Sequence, residues 1–234
     1  MIAGGSETTC CFRRVSNRSA TSPASADRQE CIQMKKSYAP RLVLALCSVL
    51  VMGSARFAAD SVEIKLRNDT DSERQTKAQL ERLLNSYDLS KYTFTRQVVI
   101  DENAIPHSHP VLTLHTRHLN SDDQLLSTYV HEQLHWYLNA HDQQRRAAEA
   151  ELRKLYPKVP VGYPDGAQDE ESTYLHLIDC YLEMQADRQL MGTQRAADVM
   201  KFWAGDHYRW VYKTVLQDET RIAEIVKRQN LELN

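Results

Sequence analysis

Residues 122–138 read DDQLLSTYVHEQLHWYL. Leu125, Leu126, Tyr129, Val130 and Leu134 recur at helical spacing, which predicts a helix with one apolar face. Ser121, three residues before Gln124, resembles a capping box and sets its start. Inside this helix, residues 131–135 are His-Glu-Gln-Leu-His. Two histidines four positions apart project from one face, one turn above the other, so both imidazoles can reach a single tetrahedral Zn²⁺ at about 2.0–2.1 Å. Glu132 emerges about 100° further round the helix. From there it can take a proton from a water polarised by the metal instead of ligating. The competing reading of the same residues is a solvated helix face.

Working outward, the flanks set the fold class. Ser61 to Leu66, Phe94 to Ile100 and Pro110 to Thr116 read as strands, with a helix around Asp71 to Leu84 between the first two. The stretch DENAIPHSHP, residues 101–110, carries Pro106 and Pro110 and must be a loop. Beyond the central helix, Asp142 to Leu155 is a second, charged helix stopped by Pro157. The segment PKVPVGYPDGAQDE, residues 157–170, with its three prolines and Pro-Asp-Gly turn, is a surface loop. Helices are predicted from Glu170 to Leu190, from Thr193 to Ala204, and from Tyr208 through most of the tail. There is no internal repeat. The expected fold is α+β, a small N-terminal sheet followed by a mainly helical part.

A catalytic zinc needs a third protein ligand and an open position. The stretch YLHLIDCYLEMQAD, residues 174–187, places Glu183 and Asp187 four apart on a second predicted helix. Glu183 can then ligate while Asp187 orients a ligating histidine through its free N–H. These residues resemble the gluzincin metallopeptidases, the thermolysin-like clan, in which HExxH is followed on a later helix by ExxxD. The matching positions are His131, Glu132, His135, Glu183 and Asp187. The separation between the two motifs departs from the commonest thermolysin spacing, so the resemblance is to the clan and covers only these two helices. It implies a zincin-like domain that hydrolyses peptide bonds, with metal ligands His131, His135 and Glu183 and Glu132 as general base. It also implies a downstream His or Tyr that stabilises the oxyanion, for which His207 and Tyr208 in DHYRWVY, residues 206–212, are the candidates. It further implies that the strand at 111–116 is an edge that pairs with peptide substrate.

A rival third ligand is His141, six residues after His135, at the spacing of HExxHxxGxxH metzincins. Leu138 stands where those proteins have their turn-making Gly, and a continuing helix carries His141 off the metal side. His176 shares the face of Glu183 and, with Arg209, is a candidate substrate contact. His107 and His109 read as loop residues.

Composition bounds the function. The chain has 234 residues, 42% hydrophobic and 26% charged, which fits one globular domain with a sizeable core. Residues 1–59 hold 8 basic and 3 acidic side chains, leaving 21 basic against 28 acidic in the rest. An acidic domain disfavours nucleic acid as a partner. The run LVLALCSVLVM, residues 42–52, is too short for a membrane span and suits a signal-peptide core, with Met34, Lys35, Lys36 and Arg41 before it and Gly53, Ser54 and Ala55 after it. Residues 1–33 then form a leader or misassigned extension, 34–55 a signal peptide, and 56–234 an exported, periplasmic or extracellular domain with no stable membrane span. Leu46 before Cys47 argues against a lipoprotein anchor. Cys180 alone remains after the cleavage site, so the mature part has no intrachain disulfide, and it reads as a small buried hydrophobe. The function expected is zinc-dependent hydrolysis of a peptide or protein substrate; the alternatives are a non-catalytic secreted module whose metal ties two helices, and an accidental motif.

Overall fold

The computed structural model describes residues 61–233. The expected leader and signal peptide, with Cys47, lie outside the described residues. The described part is mixed α+β and mostly helical, with seven helices and one three-stranded sheet.

The sheet comes first. Strands β1 (Glu63–Leu66), β2 (Gln97–Ile100) and β3 (Leu112–Leu114) lie in that order and all pair parallel, with Ile64 opposite Val98 and Val99 opposite Thr113. Helix α1 (Asp71–Ser86) provides the crossover from β1 to β2 that parallel neighbours require. Its N-terminus is capped by Thr70, whose hydroxyl accepts from the N–H of Glu73. No helix joins β2 to β3; residues 101–111 make that crossing as a loop.

The strands are shorter than their apolar patterns suggest. Phe94 and Thr95 do not enter β2, because their N–H groups donate to Oε1 of Gln133 at 2.7 and 2.8 Å while Nε2 of Gln133 donates to the carbonyl of Thr95. The expected free edge at 111–116 is also overturned at its centre. Thr113 exchanges both backbone hydrogen bonds with His107 of the preceding loop, at 2.8 and 3.1 Å, so the chain itself occupies that position.

Two helices form the middle of the molecule. Helix α2 (Asp122–Ala140) packs against β3 and α1 and against α3 (Asp142–Leu155), α4 (Glu170–Met191) and α5 (Thr193–Asp206). Helix α4 touches α2, α3, α5 and the two C-terminal helices, α6 (Arg209–Gln217) and α7 (Glu219–Arg228). Both central helices are buried on nearly every side, as helices surrounded by others must be. Ser121 caps α2 by accepting from the N–H of Gln124, but only half the expected capping box forms, since the Gln124 side chain pairs with Nδ1 of His118 instead. At the other end of α4, Gly192 has φ +85° and ψ 160°, a conformation open essentially to Gly, and this lets the chain turn directly into α5.

The tail is not the single helix expected. Asp218 separates α6 from α7, accepting a hydrogen bond from the hydroxyl of Tyr156, and the turn sends Ile222, Ile225 and Val226 back into the core.

Candidate metal centre

Where α2 crosses α4, the structure gathers His131 and His135 from one helix with His176, Asp179 and Glu183 from the other. This buried group could hold a metal ion. The ring centroids of His131, His135 and His176 lie 5.0 to 5.6 Å apart, and these three residues each offer a nitrogen within 4.8 Å of the others. The residues come together because 176, 179, 183 and 187 are spaced by three, four and four, which keeps them on one face of α4.

His176 and His131 each use one nitrogen elsewhere. Nδ1 of His176 lies 2.6 Å from the carbonyl of Ser172, and Nδ1 of His131 lies 3.0 Å from Oε2 of Glu183. Such contacts fix ring orientation and leave Nε2 as the free donor. The Glu183 carboxylate is heavily used: Oε1 accepts from Ser127 at 2.5 Å and Oε2 accepts from the hydroxyl of Tyr212 at 2.9 Å. Trp203 in turn donates its indole N–H to the hydroxyl oxygen of Ser127 at 3.0 Å. Asp179 is different. It is 0% exposed, its Oδ2 lies 2.8 Å from Nδ1 of His131 and 4.0 Å from Nε2 of His135, and neither oxygen has a properly angled hydrogen bond. Asp187, one turn below Glu183, is equally buried and equally unpartnered.

The electrostatics of this pocket call for a cation. Glu132, Asp179, Glu183 and Asp187 are all 5% exposed or less, and Arg145 is the one buried Lys or Arg among the described residues. Arg145 is spent on Asp142 and Glu149. Burying charge without a partner is costly, so the pocket must protonate or bind a positive ion. Protonation marks the protein alone. Burial works against a charged His131, but the negative charge of Asp179 overrides it and lifts His131 well above the usual range. Burial pushes Glu132 up to about 8, and pulls His135 down to about 4 and His176 to about 3. Asp187, through burial and the nearby Glu183, is raised well above a normal carboxylate. Neutral His135 and His176 beside an unsatisfied buried carboxylate, with a His131 that would give up its extra proton to a bound ion, make a donor set that suits a divalent transition metal.

The remaining candidates lie at different places around this group. The ring of Tyr208 sits 4.3 Å from His176 and stacks at 6.5 Å on His131. Its backbone is left-handed, φ +46°, a strained state for a bulky residue. It is held there from outside, since the carbonyls of Pro164 and Asp165 in the loop 157–169 accept from the N–H groups of Arg209 and Trp210, the first turn of α6. His207 is further off, its Nδ1 paired with Asp206 at 2.8 Å and its ring 5.8 Å from Tyr212. Among the described residues Arg209 forms no ion pair, and its Nε is buried without a partner. His141 is not brought to the group: it ends α2, with Nδ1 2.8 Å from the carbonyl of Tyr137.

A cavity of about 420 Å³ opens beside His135, bounded by His109, Asn139, Ser172 and Leu175 among others. His109 belongs to the loop 101–111 and stacks on Trp136 at 4.2 Å, while Trp136 donates its indole N–H to the carbonyl of Ser108. Asp179, Ser127 and Tyr212 were not singled out by sequence, and His109 was read there only as a loop residue. The first two carried a signal: Asp179 and Glu183 are four apart in an apolar stretch, and Ser127 is four before His131.

No protein-family model matches the chain, and neither a curated protein nor a solved structure was found that is similar to it.

Proposed function

We propose that the chain is a zinc-dependent hydrolase that cleaves peptide bonds or closely related amides. The observation that carries the reading is the position of Glu132, buried, with no hydrogen bond to another described residue and within electrostatic reach of His131, next to a three-histidine cluster built on its own helix and on α4. In this reading His131, His135 and His176 hold the cation. Glu183 and Asp179 orient His131 from behind, and the gluzincin-like role of Glu183 as a direct ligand becomes the competing assignment. Zinc bound there supplies a Lewis acid that polarises a carbonyl and activates water.

The protein's own side chains do the rest. Burial alone pushes Glu132 up to about 8 and holds it protonated at neutral pH, and a cation beside it would favour the carboxylate, which could then accept a proton and return it to the leaving amine. Tyr208, closer to the histidines than His207 is, supplies a hydroxyl for developing negative charge, a contribution of about 3 kcal/mol in comparable sites. The cavity beside His135 gives substrate a way in. A site that merely tied α2 to α4 would have no use for a buried, unpaired carboxylate such as Glu132. Export also belongs to the proposal, and rests on residues 34–55 of the sequence.

The test is metal analysis together with hydrolysis of a mixed peptide library by the zinc-loaded protein. Stoichiometric zinc with cleavage that Glu132→Gln abolishes supports the reading. Stoichiometric zinc without cleavage of any peptide or amide leaves a metal-tied binding module, and no retained zinc removes both.

A further inference from the structure

His131 belongs to two groups of donors. Besides the three-histidine cluster, Asp179, Cys180 and Glu183 each place a ligand atom within 4.8 Å of His131 and of one another, all four residues are buried, and Oδ2 of Asp179 also lies 4.0 Å from Nε2 of His135. We propose that these four residues form a second metal seat, sharing His131 with the first and taking a thiophilic divalent cation such as Zn²⁺ or Cd²⁺.

Toward the first cation Asp179 and Glu183 only orient His131, but toward a cation seated beside Nδ1 of His131 they are ligands. Oδ2 of Asp179 and Oε2 of Glu183 lie 2.8 and 3.0 Å from the same nitrogen, Nδ1 of His131. One Nδ1–H can serve one of these carboxylates well. The other is left beside it, and Asp179 is that other: both its oxygens lack a hydrogen-bond partner at 0% exposure. Donors bound at about 2.0–2.3 Å around a tetrahedral cation sit about 3.3–3.8 Å apart; every pair of the four donors lies within 4.8 Å, and the two closest pairs, at 2.8 and 3.0 Å, would open slightly around an ion. The seat requires one helix to offer three donors, and α4 does so with residues i, i+1 and i+4. Two carboxylate oxygens, one imidazole and one thiolate exclude Ca²⁺ and Mg²⁺ as preferred occupants, since those ions avoid sulfur and want more oxygens.

Filling the seat releases two protons to solvent, one from the Cys180 thiol and one from Nδ1 of His131, and leaves the ring bridging two cations. Charge then balances in a buried pocket. The two divalent ions are matched by Asp179, Glu183, the Cys180 thiolate and the His131 imidazolate, with His135 and His176 neutral. The proposal rests on the reading that the first cation takes His131 through Nε2.

The measurement uses the full chain with Cys10, Cys11, Cys31 and Cys47 replaced by Ser, titrated with Cd²⁺ and followed by bound equivalents and by thiolate-to-cadmium absorption. Two equivalents are expected, with the absorption accompanying one of them. Cys180→Ala and Cys180→Ser should each bind one equivalent without absorption, with circular dichroism confirming the fold. His135→Ala should keep the absorption and lose the other equivalent. Absence of thiolate absorption at any ratio, or a second equivalent that survives both Cys180 variants, overturns the second seat. A single equivalent that carries the absorption keeps the Cys180 seat and removes the three-histidine reading, so the two assignments fail separately.

Discussion

Oε2 of Glu183 lies 3.0 Å from Nδ1 of His131 while accepting the Tyr212 hydroxyl from another side. With Ser127 on Oε1 as well, the carboxylate is held by three protein groups before any ion arrives. That is the pattern of a residue that aims a ligand, and it ranks the two candidates for the third position. His176→Ala should turn the zinc of the three-histidine seat into a weakly held, exchangeable ion, whereas Glu183→Gln should lower the affinity of that seat by about 10–100-fold, the range for groups that orient a ligand. Competition with a chromophoric chelator reads both. The reverse order, with His176→Ala near normal, assigns Glu183 as the ligand.

Glu132 is the second point of exposure. Glu132→Gln keeps the shape and removes the base, so zinc content should stay at that of the parent protein while hydrolysis falls by about 10²–10⁴-fold. His131→Ala should lose both. Elemental analysis beside a peptide-cleavage assay separates them, and a Glu132→Gln protein with most of its activity would show that another group takes the proton.

The motif was legible in the sequence because its geometry is local: a helix of 3.6 residues per turn brings positions 131 and 135 together wherever the helix lies. Glu183 and Asp187 were legible for the same reason. Which member of the 176, 179, 183, 187 ladder faces the histidines was not, since it depends on how α2 crosses α4, set by packing between segments some forty residues apart. Asp179 is the clearest case, an ordinary acidic residue by sequence and an orphaned carboxylate in the fold. The strands show a similar limit. Phe94 and Thr95 have the composition of β2, yet Gln133, the middle residue of the motif, claims their backbone. Parallel pairing, the break at Asp218 and the closure of Thr113 by His107 are likewise tertiary outcomes with no period to announce them.

Loop 157–169 should govern Tyr208 at a distance. A Cβ at Gly166 would collide with the carbonyl of Pro160, and the backbone on either side has no flexible side chain to yield. Gly166→Ala should therefore shift the loop, loosen the carbonyls of Pro164 and Asp165 from α6, and free Tyr208 from its left-handed conformation. A stability loss of about 1–3 kcal/mol is expected for such overpacking. Zinc content should be unchanged, because no proposed ligand is on the loop, while kcat falls toward the value of Tyr208→Phe. Unchanged kcat in Gly166→Ala, with Tyr208→Phe impaired, would uncouple the loop from the site.

His118 gives a pH dependence away from the metal centre. It is buried, with its ring 5.3 Å from Trp203, its Nδ1 paired with Gln124 and its carbonyl accepting from Gln79. Burial first, then the positive charges of His115 and Arg117, pull it from 6.5 down to about 4. In the unfolded chain the imidazole takes a proton near 6.5; in the folded protein it stays neutral until about 4. Between those values the unfolded state binds more protons, so this group weakens the fold as pH falls from 6.5 toward 4 and contributes no pH dependence above that window. His135 and His176 act in the same direction, which is why the readout must be a difference between variants carrying the same metal load. His118→Gln retains a polar group for Gln124 and cannot titrate. Its denaturation midpoint should fall less than that of the parent between pH 7 and pH 5, at equal zinc content. Parallel curves for the two proteins would mean that His118 is protonated in the fold near its ordinary value, and that its burial against Trp203 is looser than described.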